Sequence, residues 1–267
     1  PLINSSINIT RVEVWVTNRT QSVTDFRSIV ALADIGESKD ENKVKTQVTN
    51  NPNLVTVNGK VIPYNEVNEF GGLLTNTSGL RDIATMNSTL DGVVAPQKAT
   101  QGTDFSYLQN ARKLQANEYK LHPQLGFISL NRRLNDGEVL AVAYEYTVVG
   151  ASNNETVFKV GEFSNDGVVA PANLVVKLLR SEILTTVRKN TITNLDEAFP
   201  TWRLMMKNVY AIGAYPLQQQ GFRFDLLYRD DQTGTLQNTL QNASSSSIKE
   251  TPLMQVLHID RLDQSQY

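Results

Sequence analysis

Two histidines, His122 and His258, are the only imidazoles in the 267-residue chain. Each adjoins a strand-like run, and neither has a second histidine at ligand spacing, so packing outweighs metal binding or proton transfer as their role. Carboxylates are plentiful, and a glycosidase needs only two at the right separation. Asp225 and Glu145 are the pair to weigh, because both fall in strand-like stretches. An acid on the polar face of a strand beside a base such as Arg223 is ordinary surface, and that reading is preferred. Asp230-Asp231-Gln232-Thr233-Gly234 resembles part of a calcium loop but lacks the remaining ligands, and a hairpin turn accounts for it better. Gly71-Gly72 lacks the Lys-Ser/Thr or third glycine of a phosphate loop. No G-x-S-x-G nucleophile elbow is present. Asn-x-Ser/Thr triplets at Asn4, Asn8, Asn18, Asn76, Asn87, Asn154 and Asn242 would matter only in a secreted eukaryotic protein. The chain has no cysteine, which excludes disulfides and thiolate metal sites. No catalytic, cofactor-binding or metal-binding residue is therefore assigned, and the binding residues stay open.

The composition narrows the class further. Apolar residues make up 40% and charged residues 19%, and the polar remainder is rich in Asn, Gln, Ser and Thr. A net charge of -2 argues against nucleic acid, which needs a concentrated basic surface, and against electrostatic attachment to anionic lipid. No run approaches the roughly 20 apolar residues of a membrane-spanning helix. No secretory signature opens the chain, and Pro1 in place of Met reads as the start of a piece of a longer protein.

The elements that would position these residues are mostly strands. In 7–18, Val12, Val14 and Val16 alternate with Arg11, Glu13, Trp15 and Thr17, as in a strand with one face in a core and Trp15 a half-buried anchor. The stretch 121–150 reads as a β-hairpin: Phe127 to Leu130, a turn at Asn135-Asp136-Gly137, and a return arm from Val139 to Val149. That arm is apolar on both faces at its start, which predicts a central strand. Further strands are predicted at 155–163, 174–183, 205–214, 222–228 and 254–262, with a weak one at 55–62. Helices are predicted after Ser22 or Thr24, ending at Gly36, and over 63–75, 78–86 and 104–118. In the last of these, Tyr107, Leu108, Ala111 and Leu114 form a stripe. The stretches 37–60 and 230–252 read as loops, the second of them mobile.

Asp-Gly-Val-Val-Ala-Pro occurs at Asp91–Pro96 and again at Asp166–Pro171. The flanks do not match, so common turn chemistry accounts for the pair as well as duplication does. The expected fold is α+β: mainly antiparallel sheet with a few short helices packed on it, a soluble insert rather than a membrane barrel. Residues 1–165 would form a mixed α/β lobe centred on the 121–150 hairpin and 166–267 a β-rich lobe, with a single domain as the alternative.

Four stretches, in this order, resemble one family: ITRVEVWVTNRTQSVTDFRSIVALADIGE (9–37), YKLHPQLGFISLNRRLNDGEVLAVAYEYTV (119–148), KNVYAIGAYPLQQQGFRFDLLY (207–228) and LMQVLHIDRL (253–262). They are similar to segments of the SprA/Sov family, the giant outer-membrane translocon of the type nine secretion system, tied to gliding motility. The resemblance implies a non-enzymatic, soluble segment that shapes, caps or lines a protein-conducting channel or docks partners, with no cofactor. Implied partners are other segments of the translocon, a lateral-gate barrel protein (PorV), a periplasmic plug protein and secreted cargo. The segment would lie on the extracellular or periplasmic side of the outer membrane, the extracellular side preferred. An independent carbohydrate-binding or adhesive β-domain is the alternative, and it requires a row of exposed aromatics such as Tyr144 and Tyr146 or Phe222 and Phe224.

Overall fold

The computed structural model describes residues 7–19, 25–36, 56–57, 60–65, 77–91, 99–149, 157–184, 186–189, 194–206, 218 and 220–257. Its elements in chain order are β1 (Ile7–Val16), β2 (Phe26–Leu32), β3 (Thr56–Val57), β4 (Lys60–Val61), a 3-10 turn (Thr77–Leu80), α1 (Ile83–Asp91), β5 (Phe105–Lys113), β6 (Tyr119–His122), β7 (Phe127–Leu130), β8 (Leu140–Val148), β9 (Val157–Val160) and β10 (Leu174–Arg180). Then follow β11 (Val187–Lys189), β12 (Asp196–Ala198), α2 (Pro200–Leu204), β13 (Tyr228–Arg229), β14 (Leu236–Gln237), α3 (Ser246–Lys249) and α4 (Leu253–Val256). The fold is strand-rich with a few short helices, as expected for an α+β chain.

The main sheet closes on itself. β8 runs antiparallel to β1 along its whole length, Ile7 opposite Val148 through Val16 opposite Leu140. On its other edge β8 takes β10 beside Leu140–Val142 and β9 beside Tyr144–Thr147. β10 lies parallel to β2, β2 antiparallel to β5, and β5 returns to β1 at Trp15 and Val16. The order β1-β5-β2-β10-β8-β1 is a closed ring, which leaves little free edge for another chain.

Closure requires apolar side chains inside and out. The interior gathers one set from all five ring strands: Trp15, Ile29, Ala31, Ala111, Ala141, Ala143, Leu174, Val176 and Leu178, with Phe163 closing over them. The four alanines make room for one indole, the large-against-small filling that narrow barrels use. Outside, the 3-10 turn and α1 cover one wall, placing Leu80, Met86 and Leu90 against Val30, Leu32, Tyr146, Phe158 and Val175. The β6–β7 hairpin covers the other, with Tyr119, Ile128 and Leu130 beside Val12, Val14, Val16 and Val142. The ring is thus filled with side chains and clad by protein, whereas the smallest outer-membrane barrels have about eight strands and turn an apolar band to lipid. Gly161 has φ +80, and a Cβ there would stand 3.1 Å from Ala143 Cα, so glycine lets the chain cross closely over β8.

The structure corrects several expectations. β7 pairs with β6, Tyr119 opposite Leu130, and not with the 139–149 arm, whose two edges β1, β9 and β10 already occupy. The 121–150 hairpin is therefore two separate features, and Asn135-Asp136-Gly137 turns within the connection between them. The 104–118 stretch is strand β5, not a helix. A bulge opposite Ser28 sets Leu108 against Ile29 and Ala111 against Arg27, so the inward face skips a residue and mimics helical spacing. The helix expected before Gly36 is β2, whose unbroken apolar run is buried on both faces. Trp15 is fully buried rather than half-buried.

The chain divides into two compact units, Leu2–Met205 and Met206–Tyr267. β10 lies beyond residue 165 yet sits between β2 and β8, so the division expected there moves to Met205/Met206. In the second unit, 222–227 have no regular structure and 253–256 are helical. Of the elements expected at 63–75, 205–214 and 254–262, residues 66–75, 207–214 and 258–262 lie outside the described residues.

Candidate functional site

Charged residues concentrate where the filled ring ends. Glu13 and Arg11 share Trp15's face of β1, one and two strand steps further along. The segment 163–172, which contains the second Asp-Gly-Val-Val-Ala-Pro, lies across this end. Glu13 accepts the Ser164 N–H at 2.9 Å, the Ser164 hydroxyl at 2.8 Å and the Lys113 ammonium at 3.0 Å. Arg27 donates to the Val168 and Ala172 carbonyls at 2.8 and 3.1 Å. Arg11 stacks its guanidinium 3.8 Å over the Phe163 ring and bonds Asn165 and Asp166. Lys159 reaches Asp166 at 2.8 Å, and that hydrogen bond is the main reason the Asp166 carboxyl sits below its ordinary range, with Arg11 adding to it.

The Ser164–Glu13–Lys113 triangle has the ingredients of a nucleophile with a base. Its geometry is that of a clamp. One Glu13 oxygen is held by an ammonium and a hydroxyl and the other by a backbone N–H, so both oxygens already serve as structural acceptors. Three further carboxylates are tied in the same manner. Glu162 makes a two-pronged pair with Arg81 at 2.6 Å on each prong and accepts the Val175 N–H. Glu118 pairs both oxygens with Arg112 at 2.8 and 2.9 Å, which lowers the Glu118 carboxyl and raises the guanidinium. Glu138 is wholly buried. Burial alone would raise its carboxyl, but Arg132, the Asn135 N–H at 2.6 Å and Arg19 hold it below the ordinary range.

The residues singled out in the sequence fall as follows. His122 is buried and stacked on Phe127 with centroids 4.2 Å apart; burial first, and then Lys120's charge, lowers its pKa. His258, Gly71 and Gly72 lie outside the described residues. Asp225 bonds Arg223 at 3.1 Å, and Glu145 accepts from Thr10 at 3.4 Å with Lys159 at 3.7 Å, the ordinary pairings expected of surface acids. Asp225 and Glu145 belong to different units. Asp230 accepts the N–H groups of Gln232 and Thr233, and Gly234 N–H bonds the Asp230 carbonyl at 2.7 Å, which is the hairpin turn between β13 and β14. Tyr146 is buried against Phe158, its hydroxyl bonded to the Pro63 carbonyl, and burial raises its pKa. Tyr144 is half-buried against the same cluster, so this pair forms no exposed platform. Among the described residues no three His, Asp or Glu side chains gather as a metal ion would need.

Sequence reasoning missed the clamps. The one visible signal was Arg11 and Glu13 sharing a face with Trp15, since charge on a core-facing row has to be paired. It missed as well an arm of exposed apolar side chains that follows β10. Ile183, Leu184, Val187 and Leu195 are all exposed, Leu195 at 67%, while Phe199 on the same arm is buried and bonds Thr186 O through its N–H. No helix among the described residues is long and apolar enough to cross a membrane. No protein-family model matches the chain, and no curated protein matches it.

Proposed function

We propose that this chain is a non-enzymatic structural and interaction segment of a larger envelope assembly, of the kind that the SprA/Sov resemblance implies: a piece that shapes, caps or lines an outer-membrane protein-conducting channel, or docks its partners. The observation that carries the reading is a contrast within one unit. The ring is closed, its carboxylates are committed to clamps, and yet four large apolar side chains stand exposed on the short arm 183–195. A closed, filled ring that carries several large exposed apolar side chains in the segment after β10 fits a part that is held against neighbours. The carbohydrate-binding alternative loses one of its two platforms with the inward packing of Tyr144 and Tyr146.

A photo-crosslinking residue at Leu195, in the full-length protein in its own cells, tests the reading. The expected result is a discrete adduct with another envelope protein or another segment of the same chain, weakened by Val187→Asp. Absence of any adduct from Leu195 and from Ile183 would remove the proposal.

A further inference from the structure

Asp136-Gly137 and Asp166-Gly167 are the Asp-Gly steps whose two residues are both described; Gly92, after Asp91, is not. Such a step can close on itself, because glycine has no side chain to keep its nitrogen from the preceding carboxyl carbon. Closure needs a protonated carboxyl, since a carboxylate offers no leaving group. It also needs a side chain free to turn and a glycine N–H that is not engaged. Neither Gly137 nor Gly167 donates a backbone hydrogen bond among the described residues. Both have positive φ, +73 and +97, and a Cβ on either would meet nothing within 4 Å. The carboxyls differ. Asp166 gives one oxygen to Arg11 at 3.2 Å and the other to Lys159 at 2.8 Å. The Lys159 bond, with Arg11 adding to it, keeps that group ionised, and the two contacts fix its orientation. The Asp136 side chain is fully exposed, with Arg180 at 3.9 Å as its ion contact among the described residues. Arg19 meanwhile donates to the Asp136 backbone carbonyl at 2.8 Å.

We infer that Asp136-Gly137 is a site of spontaneous isomerisation to isoaspartate, that its clamp protects Asp166-Gly167, and that Arg19 directs the outcome at Asp136. The Gly137 nitrogen bonds to Asp136 Cγ, and the carboxyl hydroxyl leaves with the amide proton as water. Water then reopens the cyclic imide. Attack at Cγ restores aspartate. Attack at the backbone carbonyl breaks that carbon's bond to the Gly137 nitrogen, and the chain thereafter runs through Cβ and Cγ. Arg19 binds the oxygen of this second carbonyl, so it polarises the carbon that water attacks and pairs with the carboxylate formed there. The product has an extra backbone methylene between Asn135 and Glu138. Wholly buried Glu138 accepts the Asn135 N–H at 2.6 Å, and the next residue, Val139, donates to the Thr17 hydroxyl at 2.9 Å. Isomerisation therefore loosens the lead into β8.

The test is to age the purified chain in neutral buffer made with heavy-oxygen water, which marks both products of ring opening. Peptide mapping with electron-based fragmentation then separates isoaspartate from aspartate of equal mass. In the folded chain, isoaspartate is expected to accumulate at 136 while 166 stays aspartyl and unmarked. In urea, where the clamp on Asp166 is gone, both positions are expected to react. Asp136→Glu, whose longer side chain closes poorly, is expected to lose the product at 136. Arg19→Gln is expected to lower the ratio of isoaspartate to marked aspartate at 136 by about threefold. Equal accumulation at 136 and 166 in the folded chain would overturn the inference, and so would isoaspartate at 136 that forms only in urea. An unchanged ratio in Arg19→Gln would overturn the directing role of the arginine.

Discussion

At the scale of single residues, titration follows from which groups are clamped. His122 is held neutral by burial, below the value of about 6.5 that it takes in the unfolded chain. A lowered histidine pKa stabilises the fold above that value and is lost as the pH falls through it, because the unfolded chain takes up the proton first. Glu118, Glu138 and Asp166 also have lowered pKa values, and their contribution is present above about pH 4 and lost below it. Thermal unfolding followed against pH should therefore fall in two stages. A first decline of about 2–4 °C between pH 7 and 5 should vanish in His122→Phe, which keeps the stack on Phe127. A steeper loss below pH 4 should persist in that variant. A single decline, unchanged by the substitution, would show that His122 titrates as it does in the unfolded chain.

At the scale of elements, the ring's interior makes the sharpest claim. Trp15 fills the space that Ala31, Ala111, Ala141 and Ala143 leave. Trp15→Ala should cost about 3–5 kcal/mol in chemical denaturation, through lost burial and an unfilled cavity. Ala141→Leu should also destabilise, by about 1–3 kcal/mol, although it adds apolar surface, because the interior has no room for it. Were β8 a surface strand, the leucine would be neutral. The strands β1, β8, β9 and β10 were legible in the sequence, since alternation or a doubly apolar run has one natural reading there. β2 and β5 were not. A bulge in β5 moved the inward set by one residue, and the apolar run of β2 matched helical spacing as well as burial on two faces. The clamps were less legible still. Arg81 and Glu162 meet across 81 residues of chain, and no local pattern announces such a partner.

At the scale of the whole molecule, the two units differ in how they are held. Leu2–Met205 contains all three apolar clusters. Among the described residues of Met206–Tyr267, Leu253 is the single buried apolar side chain. A chain cut after Met205 should keep the circular dichroism and unfolding midpoint of the intact protein. The piece 206–267 alone should show neither a cooperative transition nor resistance to protease, since Leu253 is the single buried apolar side chain among its described residues. Cooperative unfolding of that piece would mean that it has a core of its own. The exposed apolar side chains Ile183, Leu184, Val187 and Leu195 are then a surface that a partner would be expected to cover.

We propose that the chain works in the bacterial envelope as a part of a larger assembly, and the absence of cysteine from this chain makes a direct measurement possible. Ser245→Cys, at an exposed position just before α3, would be placed in the full-length protein, any other exposed cysteines there being removed. A membrane-impermeant thiol reagent would then be applied to intact cells, to cells with the outer membrane opened, and to lysed cells. Labelling is expected in the first or the second condition: at the surface for a cap or external docking part, in the periplasm or a closed lumen for a lining part. Labelling that begins only when the inner membrane is broken would place the chain in the cytoplasm and contradict the account.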